Sequence, residues 1–156
     1  MFKDPMSIVF MGVAIAAVLP GIGSAYGVHV AGKAAAGVVS EKPDLFGKLL
    51  VLQALPGTQG IYGFLVAVLI LVRSGILGGG AAGLTLATAY SFFLSGLAIA
   101  FGGLLSGIYQ GRVAAASILM TAKQPDASAR GITMTALVET YAILALLVSI
   151  LALFSI

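Results

Sequence analysis

Four long stretches of this chain carry almost no charge, and that pattern decides the class of structure open to it. Charged side chains fall at Lys3 and Asp4, at Lys33, from Glu41 to Lys48, at Arg73, at Arg112 and from Lys123 to Arg130, with one exception, Glu139, inside an apolar run. The intervals suit helices crossing a lipid core of about 30 Å, which takes roughly 20 apolar residues at 1.5 Å each. The spacing predicts spans over 6–39, 46–72, 83–122 and 127–154. They are joined by Ser40-Glu-Lys-Pro-Asp, by a Gly-rich stretch from Arg73 to Gly83, and by Lys123-Gln-Pro-Asp. The first and third spans exceed the lipid core and are expected to protrude at the Pro43 and Pro125 end, where Lys33 and Arg112 fit.

Composition narrows the class further. Of 156 residues 60% are hydrophobic and 8% charged, with mean hydropathy +1.15. Eight Lys or Arg and five Asp or Glu cannot solvate the surface of a 15.7 kDa globule. The expected fold is therefore an all-α membrane protein of four transmembrane helices. The isoelectric point is basic, but without a basic run or a soluble face there is no track for a phosphate backbone, which excludes nucleic-acid binding. No Cys and a single His exclude disulfides, thiolate metal sites and His-rich zinc sites. Gly21-Ile-Gly-Ser-Ala-Tyr-Gly is Gly-rich, yet no strand precedes it and no Lys-Ser or Lys-Thr follows, so it is not read as a nucleotide loop. The N-terminal apolar run is too long for a cleaved signal peptide and is read as the first span.

Shifting the chain by 82 residues lays one half on the other. Gly21 falls on Gly103, Ser24 on Ser106, Pro43 on Pro125, Asp44 on Asp126, Leu55 on Leu137, Thr58 on Thr140 and Ile61 on Ile143. This reads as two tandem hairpins, 1–78 without a membrane carboxylate and 79–156 carrying Glu139, which falls opposite Gly57. Two spans per half make the repeat parallel, not the inverted kind common in transporters. The first and third spans are rich in small residues, as in Gly23, Gly27, Ala31 and Gly103, Gly107, Gly111, which allow close backbone approach in lipid and suit packing with several neighbours. The Pro43 and Pro125 ends hold Lys33, Lys42, Lys48, Arg112, Lys123 and Arg130, and the other side Lys3 and Arg73. That bias predicts that loops 40–45 and 123–127 are cytoplasmic and both termini outside.

A carboxylate inside a span costs at least ~2.5 kcal/mol, so Glu139 is a functional candidate. It lies 14 residues after Pro125 and Gln110 lies 15 before it, while Thr58 and Gln59 lie 15 and 16 after Pro43. Antiparallel hairpins put all four at one depth. Leu55, Thr58, Gln59 and Tyr62 follow the i, i+3, i+4, i+7 pattern and share a face. Pro56 lacks an N–H and crowds the Leu52 carbonyl, which turns nearby backbone oxygens toward a ligand. A hydroxyl, two amide oxygens, a carbonyl and one carboxylate form a hard oxygen site with a single negative charge, suited to a monovalent cation. A proton alone would need only Glu139 in apolar surroundings; the extra oxygens argue for Na⁺. Tyr62 is placed to hold the Glu139 carboxylate in its charged form. His29 is expected to face Gly-rich packing without a site role, and Thr140 and Tyr141 to serve in packing.

The stretches Leu49-Leu-Val-Leu-Gln-Ala-Leu-Pro-Gly-Thr-Gln-Gly-Ile-Tyr-Gly, Ser106-Gly-Ile-Tyr-Gln-Gly-Arg-Val-Ala-Ala-Ala and Val138-Glu-Thr-Tyr-Ala-Ile-Leu resemble the duplicated proteolipid, or K, subunit of rotary V-type ATPases, most closely the bacterial Na⁺-translocating kind. The resemblance covers nearly the whole chain. It implies identical copies in a homo-oligomeric rotor ring of a prokaryotic cell membrane, with the first and third spans inside and the second and fourth outside. It also implies Na⁺ held by the Leu55 carbonyl, Thr58, Gln59, Gln110 and Glu139, with Tyr62 hydrogen-bonding Glu139. The implied partners are a membrane stator subunit with an Arg, a central-stalk subunit and lipid. Such a subunit has no catalytic residues or nucleotide site and is no enzyme alone.

In the mechanism this implies, Na⁺ neutralises Glu139 so that the site can pass through lipid, and the stator cation displaces the ion. One carboxylate per four helices means fewer ions per turn, which favours pumping against ~2.3 kcal/mol per charge per 100 mV. The alternatives are a proton-carrying ring of the same family and a small four-helix cation or multidrug antiporter. The exporter class usually lines its site with aromatics for cation–π contact, whereas this chain has no Trp and surrounds Glu139 with amides and hydroxyls. A purely structural pore would leave Glu139 unexplained.

Overall fold

The computed structural model describes residues 4–80 and 83–156, so the Lys3 counted above lies outside the described residues. Helix α1 (Pro5–Glu41) opens on Asp4, whose carboxylate accepts the Ser7 N–H at 3.0 Å and the Ser7 hydroxyl at 2.6 Å, with Pro5 in the first helical position. Both features suit a helix start, because the first N–H groups lack partners and proline has none to lose. α1 closes where Lys42 precedes Pro43, since the residue before proline is pushed out of the helical region. The second span is built from α2 (Phe46–Ala54), a 3₁₀ turn (Leu55–Gly57) and α3 (Thr58–Arg73). The third is α4 (Leu86–Lys123), capped by the Thr85 hydroxyl, and the fourth is α5 (Ser128–Phe154).

The spans begin and end within three residues of the expected bounds. The third span begins at Leu86 and not at 83, because Thr85 is the extended residue whose side chain accepts the Thr88 N–H at 3.2 Å. The second span, expected to be disturbed at Pro56, is tightened into a 3₁₀ turn at Leu55–Gly57, where Pro56 removes a donor. Four segments are long and apolar enough to cross a membrane, Pro5–Glu41, Pro43–Arg73, Leu86–Lys123 and Pro125–Phe154, and there is no strand among the described residues. At 1.5 Å per residue α1 and α4 each run for about 55 Å, well beyond the lipid core.

The repeat is visible in the backbone itself. Lys42 (φ −134°, ψ 73°) and Gln124 (φ −137°, ψ 87°) stand 82 residues apart in the same conformation, each followed by a 3₁₀ turn that begins Pro-Asp. The two loops lie side by side at one end of the bundle. Lys42 Nζ donates to the Ala122 carbonyl at 2.6 Å and Lys48 Nζ to the Pro125 carbonyl at 3.1 Å. Lysines of the first hairpin thus cap carbonyls at the helix end and loop of the second, where the helix dipole favours a cation. The connection at the opposite end turns through Gly75 and Gly79, both with positive φ.

α1 packs most extensively on α4; α3 covers α1, α5 covers α4, and α3 and α5 meet across the other side. Contact between α1 and α4 is backbone on backbone. A Cβ on Gly111 would run into Gly27 Cα, and one on Gly107 would lie 2.7 Å from the Gly23 carbonyl carbon. The buried side chains form two clusters. Val9, Ala16, Val66, Ile70, Phe92 and Ile99 lie toward the end with the termini, and Ala31, Leu49, Leu52, Ala114 and Ile118 toward the loops. The site occupies the layer between them. Outside, Ile61, Phe64, Leu144 and Leu151 are all exposed, a surface fitted to lipid or further protein and not to water.

Candidate functional site

The second span reaches the site through its break. The Thr58 N–H and the Thr58 hydroxyl both return to the Leu55 carbonyl, the latter at 3.0 Å. The N-cap of α3, Gly57, has no side chain to offer. The missing cap comes from another helix, as Ser24 Oγ on α1 accepts the Gly60 N–H at 2.8 Å. The break is held further by packing, because a Cβ on Gly27 would lie 2.7 Å from Pro56 Cβ. Leu55, Thr58 and Tyr62 are half-buried on this face and Gln59 is fully buried.

Opposite them stand α4 and α5. Gln59 Nε2 donates to Gln110 Oε1 and, at 3.2 Å, to Ser106 Oγ. Gln110 Nε2 donates to the Thr135 carbonyl at 3.2 Å, and the Ser106 hydroxyl to the Val138 carbonyl at 3.0 Å. One side-chain atom in this layer is buried without any hydrogen-bond partner, Gln59 Oε1. Alongside, the Tyr62 hydroxyl donates to Glu139 Oε1. Glu139 is half-buried, and three or more acids, histidines or cysteines converge nowhere among the described residues. A site here would carry one negative charge and otherwise amide, hydroxyl and carbonyl oxygens, a hard donor set matched to a small monovalent cation.

The structure brings the candidate residues together in pairs. Gln59 meets Gln110, Tyr62 meets Glu139, and the Thr58 hydroxyl meets the Leu55 carbonyl. No hydrogen bond joins Glu139 directly to Thr58, Gln59 or Gln110. Ser106, Ser24 and the Thr135 and Val138 carbonyls were not among the candidates. Ser106 lies one turn before Gln110 on the same face, and Ser24 is its repeat partner; sequence reading took both as register markers only. One expectation fails. His29 is exposed on α1 and does not face the Gly-rich contact, because that contact is made by Gly23, Gly27 and Ala31 on the opposite side of the helix. Thr140 and Tyr141 face outward from this chain: Thr140 is exposed with its hydroxyl returned to the Leu137 carbonyl, and Tyr141 is 70% exposed.

Fold and site together define a four-span, multi-pass membrane protein built of two parallel hairpins around a single carboxylate. The sequence model of the ATP synthase C-subunit family matches residues 11–70 and again 93–152, two copies offset by 82 residues at both ends, and the chain belongs to that family. Three relatives illustrate its range. The V-type sodium ATPase subunit K of Enterococcus hirae is 45% identical over 141 residues, which are 90% of this chain and 86% of the relative. The A-type ATP synthase subunit K of Methanocaldococcus jannaschii is 41% identical over 150 residues, 96% of this chain but 64% of the relative, so the chain spans just under two thirds of that protein. The 16 kDa proteolipid of the V-type proton ATPase of Rattus norvegicus is 33% identical over 120 residues, 74% of this chain and 70% of the relative. Subunits of the family form oligomeric rings in ATPase complexes and translocate ions; catalysis of ATP turnover lies in other subunits.

Proposed function

We propose that this chain is a rotor-ring subunit that carries Na⁺ across the membrane, driven by ATP hydrolysis in a soluble sector. The observation that supports Na⁺ over a proton is the layer of oxygens beside Glu139, above all the buried, unpartnered Gln59 Oε1. A buried acceptor without a donor costs about 1 to 3 kcal/mol, a penalty that a cation shared with Glu139 would relieve and that proton binding at Glu139 alone would leave in place. The ligand set is the Leu55 carbonyl, Thr58, Gln59, Gln110 and Glu139, with Tyr62 donating to the carboxylate. The naming of the Enterococcus hirae relative for sodium agrees with this reading.

In operation the loaded carboxylate is neutral overall and travels facing lipid at a tolerable cost, whereas an ionised empty site there would be expensive. At the stator a fixed Arg competes for Glu139 and expels the ion. The halves 1–78 and 79–156 act as one unit with one site. Loops 40–45 and 123–127 face the cytoplasm and a central stalk, with the termini outside. The test is carbodiimide modification of Glu139 in the assembled ring across pH, with and without Na⁺. Labelling suppressed by millimolar Na⁺ at fixed pH supports the proposal; labelling indifferent to Na⁺ overturns it in favour of a proton-carrying ring.

A further inference from the structure

The hydrogen bonds around Gln59 run in one direction, and that direction is set by α5. The Thr135 carbonyl can only accept, so the Gln110 amide must present its NH₂ there and its oxygen toward Gln59. The Val138 carbonyl likewise can only accept, so the Ser106 hydroxyl spends its proton on it and presents lone pairs toward Gln59. Gln59 thus meets two acceptors, Gln110 Oε1 and Ser106 Oγ, and both of its N–H bonds are consumed. Turning the Gln59 amide over would set oxygen against oxygen at both contacts. Its Oε1 is left as the one buried acceptor without a donor.

Repeat partners show why Ser106 is available for this. Ser24, 82 residues earlier, is occupied by the Gly60 N–H at the start of α3, where the first N–H groups of a helix lack partners. The position corresponding to Gly60 in the second hairpin is Ala142, in the middle of the unbroken α5, and the position corresponding to Pro56 is Val138. With no helix start to cap, Ser106 turns to a carbonyl and a side-chain amide.

We propose that Ser106 is a positioning residue that fixes which end of the Gln59 amide faces the ion, and so sets Na⁺ affinity without touching the ion. This rests on the Na⁺ reading above. The test uses the assembled ring with Ser106→Ala and Ser106→Cys, the second keeping the shape while replacing the oxygen by a poor acceptor. Each is scored by the Na⁺ concentration that half-protects Glu139 from carbodiimide, by the pH profile of labelling without Na⁺, and by survival of the ring in detergent. In both variants the half-protecting concentration rises about ten-fold, the size of one net hydrogen bond, while the Na⁺-free profile and ring survival stay as in the unaltered protein. A merely structural role for Ser106 would shift ring survival or the Na⁺-free profile and is overturning. Unaltered protein protected by Na⁺, with both variants protected equally well, overturns the role of Ser106 alone. Unaltered protein indifferent to Na⁺ overturns both readings.

Discussion

The Tyr62 hydroxyl donates to Glu139 Oε1 across the meeting of α3 and α5, tying the broken span of one hairpin to the carboxylate of the other. The repeat gives this contact to one side only. The residue 82 positions after Tyr62 is Leu144, and the residue 82 before Glu139 is Gly57. The contact therefore occurs once for four spans, with one residue drawn from each half.

Tyr62→Phe keeps the ring packing and removes only the donor. A hydrogen bond to a charged group contributes about 1.5 to 3 kcal/mol, so the Na⁺ concentration that half-protects Glu139 from carbodiimide is expected to rise at least ten-fold. The oligomer stays intact in detergent. Unchanged protection would show that the phenol does not support the ion-bound state.

Glu139→Gln removes the charge and retains size and polarity. ATP-driven Na⁺ uptake in vesicles containing the whole complex is expected to vanish, while the ring still assembles, because a neutral amide costs less in lipid than a carboxylate. Retained uptake would place the transported charge elsewhere. Glu139→Asp is the finer probe: it keeps the charge but withdraws the oxygens from Tyr62 by one methylene, so transport persists with weakened Na⁺ dependence.

The legible part of this protein was what one dimension records. Charge-free runs gave the spans, the 82-residue register gave the repeat, and counting from Pro43 and Pro125 put Thr58, Gln59, Gln110 and Glu139 at one depth. Rotation about the helix axis was less visible, since a span apolar on all sides has no amphipathic face to orient it. That is why His29 was expected to face Gly-rich packing although it lies exposed on α1. The hydroxyls Ser24 and Ser106 escaped for a related reason: serine is also a small residue, and in a Gly-rich helix its size hides its chemistry.

Gly111→Ala should disrupt the centre of the fold. Its new Cβ would enter the space of Gly27 Cα, and because the obstacle is backbone it cannot swing away. Overpacking of this kind costs about 1 to 3 kcal/mol or more, so the detergent-stable oligomer is expected to melt at clearly lower temperature. Gly37→Ala is the control inside α1, for nothing lies within 4 Å of the added carbon, and its melting temperature should not fall.

At the start of α1 the Ser7 hydroxyl, and after it the Ser7 N–H, hold the Asp4 carboxyl below the usual carboxylate range. A folded-state value below the unfolded one means that the cap is fully effective above the unfolded pKa. It is lost as pH falls through the lower, folded value. Hydrogen exchange at the Ser7 amide should therefore quicken, relative to intrinsic rates, only on acidification below the ordinary Asp range. Asp4→Ala should exchange fast at every pH.

Pro56→Ala separates helix quality from site quality. Alanine restores a donor and relieves the clash with the carbonyl one turn back, changes that favour a continuous second span. The 3₁₀ turn at Leu55–Gly57 would then relax toward α geometry, rotating Thr58, Gln59 and Tyr62 relative to α4 and α5 and withdrawing the Leu55 carbonyl from the Thr58 hydroxyl. The opposing restraint is Ser24, whose bond to the Gly60 N–H holds the broken start in place. If the break serves the ion, Pro56→Ala yields a ring at least as stable toward heat as the original but with weaker Na⁺ protection of Glu139, and adding Ser24→Ala deepens the loss. Full protection in the double variant would mean that Gln59, Gln110 and Glu139 find each other without the break.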